Sequence, residues 1–364
     1  MVETALGSLA VRSAWPTITV DGQAQPRVTA LLLDMEMTEQ EGGMSALELR
    51  LTNVASQTDF RGNFAFEDDQ ILKLGATLVI GAGDQASPHE IFRGTITGLE
   101  AVFAPEHSPE LVVLAEDAFQ RGRLTRRTKV HENVTIAALG NELAARLGLT
   151  PKIDGLSQPI GTHVQFNESD LAFLRRFLAQ YDADMQISGN TLILASRSHL
   201  GRGTVELVMT SQLHRARVTA DLAHQVTEVT TGGWDPSQGQ RVSGRSTGAN
   251  LGPGTGTRGA TVVNRAFGSL PRHVAHLTVA TNDEAQALAD AVFDLHARRF
   301  VCVKGTADGN PLLRVGSQVH LTGMGSRFDN TYYVVRTCHR FHRFGQQAGY
   351  HTDFEAECAY WGGS

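Results

Sequence analysis

The feature that most constrains the fold is a repeat. Leu72-Lys-Leu-Gly-Ala-Thr-Leu-Val-Ile80 matches Leu313-Arg-Val-Gly-Ser-Gln-Val-His-Leu321 in residue class at most positions, at an offset of 241. Each segment passes a basic residue and a glycine before a run that reads as a strand. Kept without a gap, the same offset lays Ile91–Glu100 on Tyr332–Phe341. It also lays Leu111, Val113 and Ala115 on Thr352, Phe354 and Ala356, one pleat face each time. Any two amphipathic strands look alike, but three in succession at one offset point to two copies of one β-barrel-like unit. Three such subunits would present six similar platforms, so that a threefold assembly could mate with a sixfold one.

The rest of the chain divides by period. Residues 1–118 read as β: Thr17–Val20, a turn at Asp21-Gly22, Val28–Met35, then Leu47, Leu49 and Leu51 alternating with Glu48 and Arg50. Thr77–Ile80, Ile91–Leu99 and Glu110–Ala115 continue the pattern. Residues 119–199 read as a small α+β domain. Ile136, Leu139, Leu143 and Leu147 lie at helical spacing with Gly148 as a stop. Ser169 is an N-cap for a second helix to Tyr181 striped by Leu171, Leu174, Phe177, Leu178 and Tyr181, and a hairpin follows at Gly189-Asn190. Residues 200–364 return to β, with Val205–Met209 and Arg217–Thr231 as strands and an inserted loop and helix at about 236–299. Gln238–Ala260 has few large apolar residues and is expected to be a mobile loop. The helix Asp283–Arg298 opens with the capping box Thr281-x-x-Glu284 and is striped by Leu288, Val292 and Leu295. Phe300–Lys304, Gln318–Leu321, Thr331–Phe344 and Tyr350–Tyr360 are the closing strands. The fold class is therefore mainly β with an α+β insertion: two duplicated, tube-like β-barrel domains plus the small α+β domain.

Composition removes several function classes. Lys and Arg number 32 against 38 Asp and Glu, so no basic excess marks a nucleic-acid binder. Three cysteines, Cys302, Cys338 and Cys358, are too few for a disulfide framework. No apolar run is long enough for a transmembrane helix, and Met1–Val11 lacks the basic start of a secretion signal.

Five constellations invite sharper chemistry. Cys338-His339-x-x-His342, with His351 or Cys358 as a fourth donor, has the residue types of a zinc site, but alternation turns His339 to the opposite strand face. Gly252-Pro-Gly-Thr-Gly-Thr-Arg-Gly259 lacks the Gly-Lys-Ser/Thr ending of a phosphate loop. Glu168 and Asp170 could act as paired carboxylates in glycoside hydrolysis, although acidic residues are favoured at a helix start in any case. Gly244-Arg-Ser-Thr-Gly248 spells the nucleophile-elbow pattern without a following helix. Arg121, Arg123, Arg126, Arg127 and Lys129 form a basic run that reads as a solvated linker or as a docking strip for an acidic neighbour. None is assigned as a catalytic, cofactor or metal site.

Four motifs carry a resemblance. Gln165 precedes Glu168-Ser169-Asp170 and then Phe173-Leu174-Arg-Arg176. Phe92-Arg-Gly-Thr-Ile lies upstream, and Gly233-Trp234-Asp235-Pro236 downstream. Tyr332-Tyr333-Val-Val-Arg-Thr-Cys-His339 is followed by Gly349-Tyr350-His-Thr352. Together these resemble the phage late control D family, which includes tail hubs, the N-terminal part of VgrG spike proteins and the hubs of contractile injection systems.

The resemblance implies a structural, non-enzymatic role. It implies a homotrimeric ring between a hexameric inner tube and a trimeric spike, with baseplate components and the tape-measure protein as neighbours. It implies no cofactor, no nucleic-acid binding and no stable membrane insertion. Assembly would take place in the bacterial cytoplasm, as part of a phage tail or contractile injection particle. The sequence runs to Trp361-Gly-Gly-Ser364, short of the OB-fold and β-helix of full VgrG proteins, so the spike is expected to be a separate protein. Two alternatives stand beside this reading: a VgrG-type type VI secretion spike component, and a peptidoglycan-cleaving tail enzyme.

Overall fold

Alternating apolar residues make both ends of the chain sheet-forming, and helical periodicity is confined to a few segments between them. The computed structural model describes residues 13–54, 64–67, 69–84, 86–105, 107–275, 279–345 and 347–362. The stretch Met1–Val11, where no secretion signal is read, and the last two residues lie outside the described residues. The chain forms two compact units: residues 1–118, 307–312 and 337–353 in the first, and residues 119–306, 313–336 and 354–364 in the second.

The first unit contains β1 (Ser13–Val20), β2 (Gln23–Ala24), α1 (Pro26–Leu31), β3 (Leu32–Gln40), β4 (Ala46–Thr52), β5 (Thr77–Gly83), β6 (His89–Ala104) and β7 (His107–Glu116). They pair antiparallel in the order β3-β4-β7-β6-β5-β1-β2, and residues 337–344 flank β3. Asp21 and Gly22, at φ 47° and 78°, both adopt the left-handed backbone that a two-residue hairpin turn demands. Period 2 sends Met35, Met37, Leu47, Leu49, Leu51, Leu78, Ile80 and Val113 to one core, joined by Phe341. The expected strand Val28–Met35 begins only at Leu32. Pro26 starts a helix at the position where its missing N–H costs nothing, and Val28 and Leu32, four apart, are both fully buried.

The second unit opens with α2 (Phe119–Leu124), β8 (Arg126–His131), α3 (Ile136–Leu147), β9 (Thr150–Asp154), β10 (His163–Ser169), α4 (Asp170–Leu178), β11 (Ala183–Ser188) and β12 (Thr191–Ser196). β8 and β10 form a two-stranded ribbon, and β11, β12 and β9 a three-stranded sheet. α3 has the expected stripe and the expected stop, with Gly148 at φ 72° closing its last carbonyls. α4 ends at Leu178, three residues before Tyr181, which is half-buried.

Next come β13 (Thr204–Val208), β14 (Leu213–Ala220), β15 (Glu228–Asp235), β16 (Gln240–Ser246), β17 (Thr257–Arg258), α5 (Gly259–Phe267), β18 (Pro271–Val274) and α6 (Asn282–Arg298). Arg217–Thr231 is therefore two strands, broken at residues 221–227. Gln238–Ala260 is not a featureless loop. β16 pairs with β15 over seven residue pairs, and α5 starts at Gly259. Small residues there admit a close approach: a Cβ on Gly244 would meet the Ala285 carbonyl of α6 at 2.2 Å. Backbone contact thus replaces the bulky side chains whose absence suggested mobility. α6 has its capping box, with Thr281 Oγ1 accepting from Glu284 N and Glu284 accepting from Thr281 N. Its buried stripe runs through Ala285, Leu288, Ala289, Phe293, Asp294, Ala297 and Arg298, while Val292 is half-buried and Leu295 exposed. A helix face aligned on two charged residues is invisible to a count of apolar positions.

The last strands are β19 (Val301–Asp308), β20 (Gln318–Thr322), β21 (Asn330–Phe344), β22 (Gln347–Cys358) and β23 (Tyr360–Trp361). The repeat of the sequence coincides with a local geometry. Gly75 N–H reaches Ile96 O, Ala76 N–H reaches Lys73 O, and Ile96 N–H reaches Ala76 O. In the second unit Gly316 N–H reaches Val334 O, Ser317 N–H reaches Arg314 O, and Val334 N–H reaches Ser317 O. Both glycines are left-handed, at φ 85° and 87°. The gap-free offset does not hold, however. Pairing places Thr77 opposite Thr95 but Gln318 opposite Tyr333, so the returning strand matches at 238 because its connection is three residues shorter. Among the described residues, no helix is long and apolar enough to cross a membrane.

Candidate functional site

Gln165 is almost fully buried on β10, and a buried amide must find partners on both its oxygen and its nitrogen. Its Nε2 donates to Glu168 O at 2.9 Å and to Asp170 Oδ1 at 3.0 Å, and its Oε1 lies 3.2 Å from His131 Nε2. Asn167, at φ 45°, bends the strand between them. Ser169 then caps α4 by accepting from Ala172 N at 3.2 Å. Phe173 stacks on His131 and meets Phe177 edge-on, Leu174 is buried, and the Arg176 guanidinium covers both phenyl rings. The motif residues Gln165–Arg176 therefore come together as a knot that fixes the strand-to-helix corner.

The two carboxylates of this corner are held in ion pairs. Glu168 meets Arg176 at 3.3 Å, and Asp170 pairs with Arg146 and with Arg127. Burial works to raise the pKa of Asp170, but the hydrogen bonds from Arg146, Gln165 and Arg127 outweigh it and hold the carboxyl below its ordinary value. A carboxylate so depressed stabilises the fold at neutral pH. That contribution fades as pH falls from about 4 through the lowered value. Asp170→Asn should therefore cost stability at pH 7, and its difference from the wild type should shrink as the medium is acidified below about pH 4. Melting temperatures of the two proteins across that range measure this directly.

The remaining motifs sit elsewhere and are also structural in geometry. Gly233, Trp234 and Asp235 end β15, and Pro236 opens the turn into β16. Asp235 accepts from Ser237 N and Oγ and from Gln238 N, contacts that lower its pKa, the Ser237 hydroxyl most. A Cβ on Gly233 would strike Val279 O at 2.1 Å, and Trp234 is left 55% exposed. In the first unit, buried His339 places Nδ1 2.8 Å from Tyr350 Oη and 3.2 Å from Thr352 Oγ1, and Thr352 Oγ1 accepts from Asn310 N. Gly349, one residue before Tyr350, lies beside His351. His342 faces Asp34 instead. Burial first, then Glu36, pushes the Cys338 thiol up to about 11, so it stays protonated at neutral pH. Among the described residues no group of three or more His, Cys, Asp or Glu is placed to hold a metal.

One cluster escaped sequence reasoning. In the second unit Arg197 meets Glu357 at 2.5 Å, Arg298 meets Asp182 at 2.5 Å, and Arg298 Nε lies 3.7 Å from Glu357. The Arg197 guanidinium also covers the ring of Tyr333 at 4.0 Å. Asp294 receives the N–H groups of Ala249 and Asn250 and so pins the glycine-rich loop; burial nevertheless raises its pKa. A cavity of about 420 Å³ opens beside the cluster, lined by Asn250, Gly252, Gly254, Gln318 and Tyr333 among others. The visible signal was a pair of opposite charges four residues apart on the buried face of α6. Ser246 of the elbow-like pattern is buried at the end of β16, with no helix behind it.

Comparison with known proteins bears on the fold as a whole. The 43 kDa tail protein of prophage MuSo2 from Shewanella oneidensis has a TM-score of 0.67 at 12% identity, over 94% of this chain and 97% of that one. A tail protein from Neisseria meningitidis MC58 gives 0.65 at 12%, over 95% and 98%. The E. coli c3393 protein, a type VI secretion component similar to the T4 tail proteins gp27 and gp5, gives 0.57 at 11%, over 95% and 79%. At such identities the likeness is one of fold, and it is to tail and spike proteins rather than to enzymes. No curated protein matches the sequence. The family whose pattern the sequence does match is the Alg8 N-terminal domain, over residues 15–342, and not the late control D family that the motifs resemble. With nearly the whole chain inside that match, the protein belongs to the Alg8 N-terminal domain family.

Proposed function

We propose that the chain is the baseplate hub of a contractile, phage tail-like injection particle. In this reading three copies form a ring that joins a hexameric inner tube to a trimeric spike. The observation that carries it is the likeness, along almost the full length of both chains, to two tail proteins, one of them from a prophage. The matching hydrogen bonds at Gly75 and Gly316 support two related platforms per subunit. The division into barrels at 1–118 and 200–364 around an α+β domain at 119–199 belongs to the same proposal. So does the role of the motif residues, from Gln165 to Thr352, as fasteners of that scaffold.

A VgrG-type spike component of a type VI system is the second reading, favoured by the likeness to the E. coli c3393 protein. A peptidoglycan-cleaving enzyme has less support, because Glu168 and Asp170 are both tied up in ion pairs. The test is the mass of the purified chain by light scattering, alone and mixed with candidate spike and tube proteins. A trimer is expected, alone or on mixing. A monomer that ignores both proteins would rule the hub out. Wall-clearing activity abolished by Glu168→Gln would establish the enzyme instead.

A further inference from the structure

The strand β18 in the second unit has little of its own to hold it. It is four residues long and lies at the edge of a three-stranded sheet, parallel to β15. Pro271, Arg272 and His273 are exposed, and Val274 is buried. Its near end is tied to the segment before β15, where Thr227 N–H donates to Leu270 O and Leu270 N–H to Thr227 Oγ1. Arg272 then reaches across to α6, and its Nη1 lies 2.9 Å from His296 Nε2.

That contact dictates the state of the imidazole. A guanidinium has only donors, so His296 Nε2 must accept, and the ring is neutral with its proton on Nδ1. The His224 carbonyl accepts a hydrogen bond from this ring. The ring therefore joins three segments: β18, α6 and the connection 221–227. Gln225 Nε2, in the same connection, donates to His296 O at 2.6 Å. The charged and titratable groups that crowd the ring are basic: Arg272 on β18, Arg299 just past α6, and His224. Glu228, opposite Pro271 in the sheet, is engaged by Arg245 on β16. Burial first, then Arg272, holds the His296 pKa below its ordinary value.

We propose that Arg272, His296 and the His224 carbonyl form a proton-operated latch, closed while the imidazole is neutral and opened when it takes a proton. Protonation turns Nε2 from acceptor into donor and sets a cation against the Arg272 guanidinium. The link from β18 to α6 is then lost, and the edge of β15 that β18 covers is freed. The unfolded chain binds this proton more readily than the folded one. The latch therefore stabilises the fold fully above about pH 6.5, and that contribution is lost as pH falls from there through the lowered value. The latch is independent of the hub reading.

Hydrogen exchange of the full chain at about pH 7.5 and about pH 5 tests it, read as protection factors so that the intrinsic pH dependence of exchange is removed. In wild type, protection at residues 229–231 and 271–274 should be lost in acid. His296→Gln keeps an acceptor for Arg272 and a donor for the His224 carbonyl but cannot titrate, so its protection should be the same at both pH values. Wild-type protection that survives acid, or a His296→Gln variant that loses it equally, would overturn the latch. If His296→Gln is already unprotected at pH 7.5, Arg272→Gln decides, followed by NMR of the histidine ring signals. Removal of the neighbouring cation should move the His296 titration midpoint upward, and a midpoint that stays in place would sink the proposal.

Discussion

Arg298→Ala is expected to produce the largest loss of stability of any single truncation in the second unit. The guanidinium is 4% exposed and reaches two carboxylates, with Asp182 at 2.5 Å and 2.8 Å and Glu357 at 3.7 Å. It also donates to Asn250 O, so it ties the glycine-rich loop to α6. Truncation removes the cation and leaves Asp182 without its ion-pair partner, while Glu357 keeps Arg197. Breaking a buried pair by removing one partner costs about 3–5 kcal/mol, because the remaining charge loses its compensation. In calorimetry the midpoint should fall by on the order of 10 °C. Hydrogen exchange at residues 249–256 should rise in the same variant. A melting curve that matches the wild type would mean that solvent already screens this cluster.

Gly244→Ala should be nearly as damaging, for a steric reason. The added Cβ would lie 2.2 Å from Ala285 O, 2.3 Å from Ala285 C and 2.6 Å from Gln286 N, all backbone atoms of α6 that cannot rotate away. Either α6 or β16 must move, and both belong to the core built on Val229, Val242, Leu288 and Phe293. Overpacking costs about 1–3 kcal/mol where side chains can adjust, and a backbone clash belongs at the top of that range. Ser246→Ala provides the contrast. Ser246 Oγ accepts from Gly248 N, and losing that bond should cost no more than about 1–2 kcal/mol. If the glycine acts by packing, the first substitution lowers the unfolding midpoint in urea far more than the second. The reverse order would point back to a role for the serine itself.

These two positions show what the sequence could and could not convey. Periodicity located α3 and α4 because each buries a stripe of large apolar residues, and side chains placed 3.6 residues apart leave that trace. Thr281, Glu284 and Gly148 marked helix ends because capping is local chemistry. Gln238–Ala260 was misjudged because its order comes from long-range backbone contacts: β16 under α6, Thr255 on Asn330 and Ala249 on Asp294. Nothing within the segment itself encodes those partners. The Gln165 motif was readable as a pattern. Its physical role as a buried amide joining His131, Glu168 and Asp170 needed residues 34 positions apart in the chain to be brought together. The buried Arg197–Glu357 pair, 160 positions apart, left no local trace at all.

The discontinuity of the first unit has a consequence for how the molecule is made. Its core contains Phe341 beside Leu32, Met35 and Leu51, and the unit draws in residues 307–312 and 337–353. A ribosome delivers those residues long after residue 118. At roughly 5–20 residues per second, residue 118 must wait about 10–45 s before the strand that completes its sheet emerges. Throughout that interval β3 has an unpaired edge and a core surface with no lid. The order of synthesis therefore leaves a long window for capture by a neighbouring nascent chain or a chaperone. Full-length protein released in bulk should refold with fewer errors than protein whose translation is stalled after residue 118.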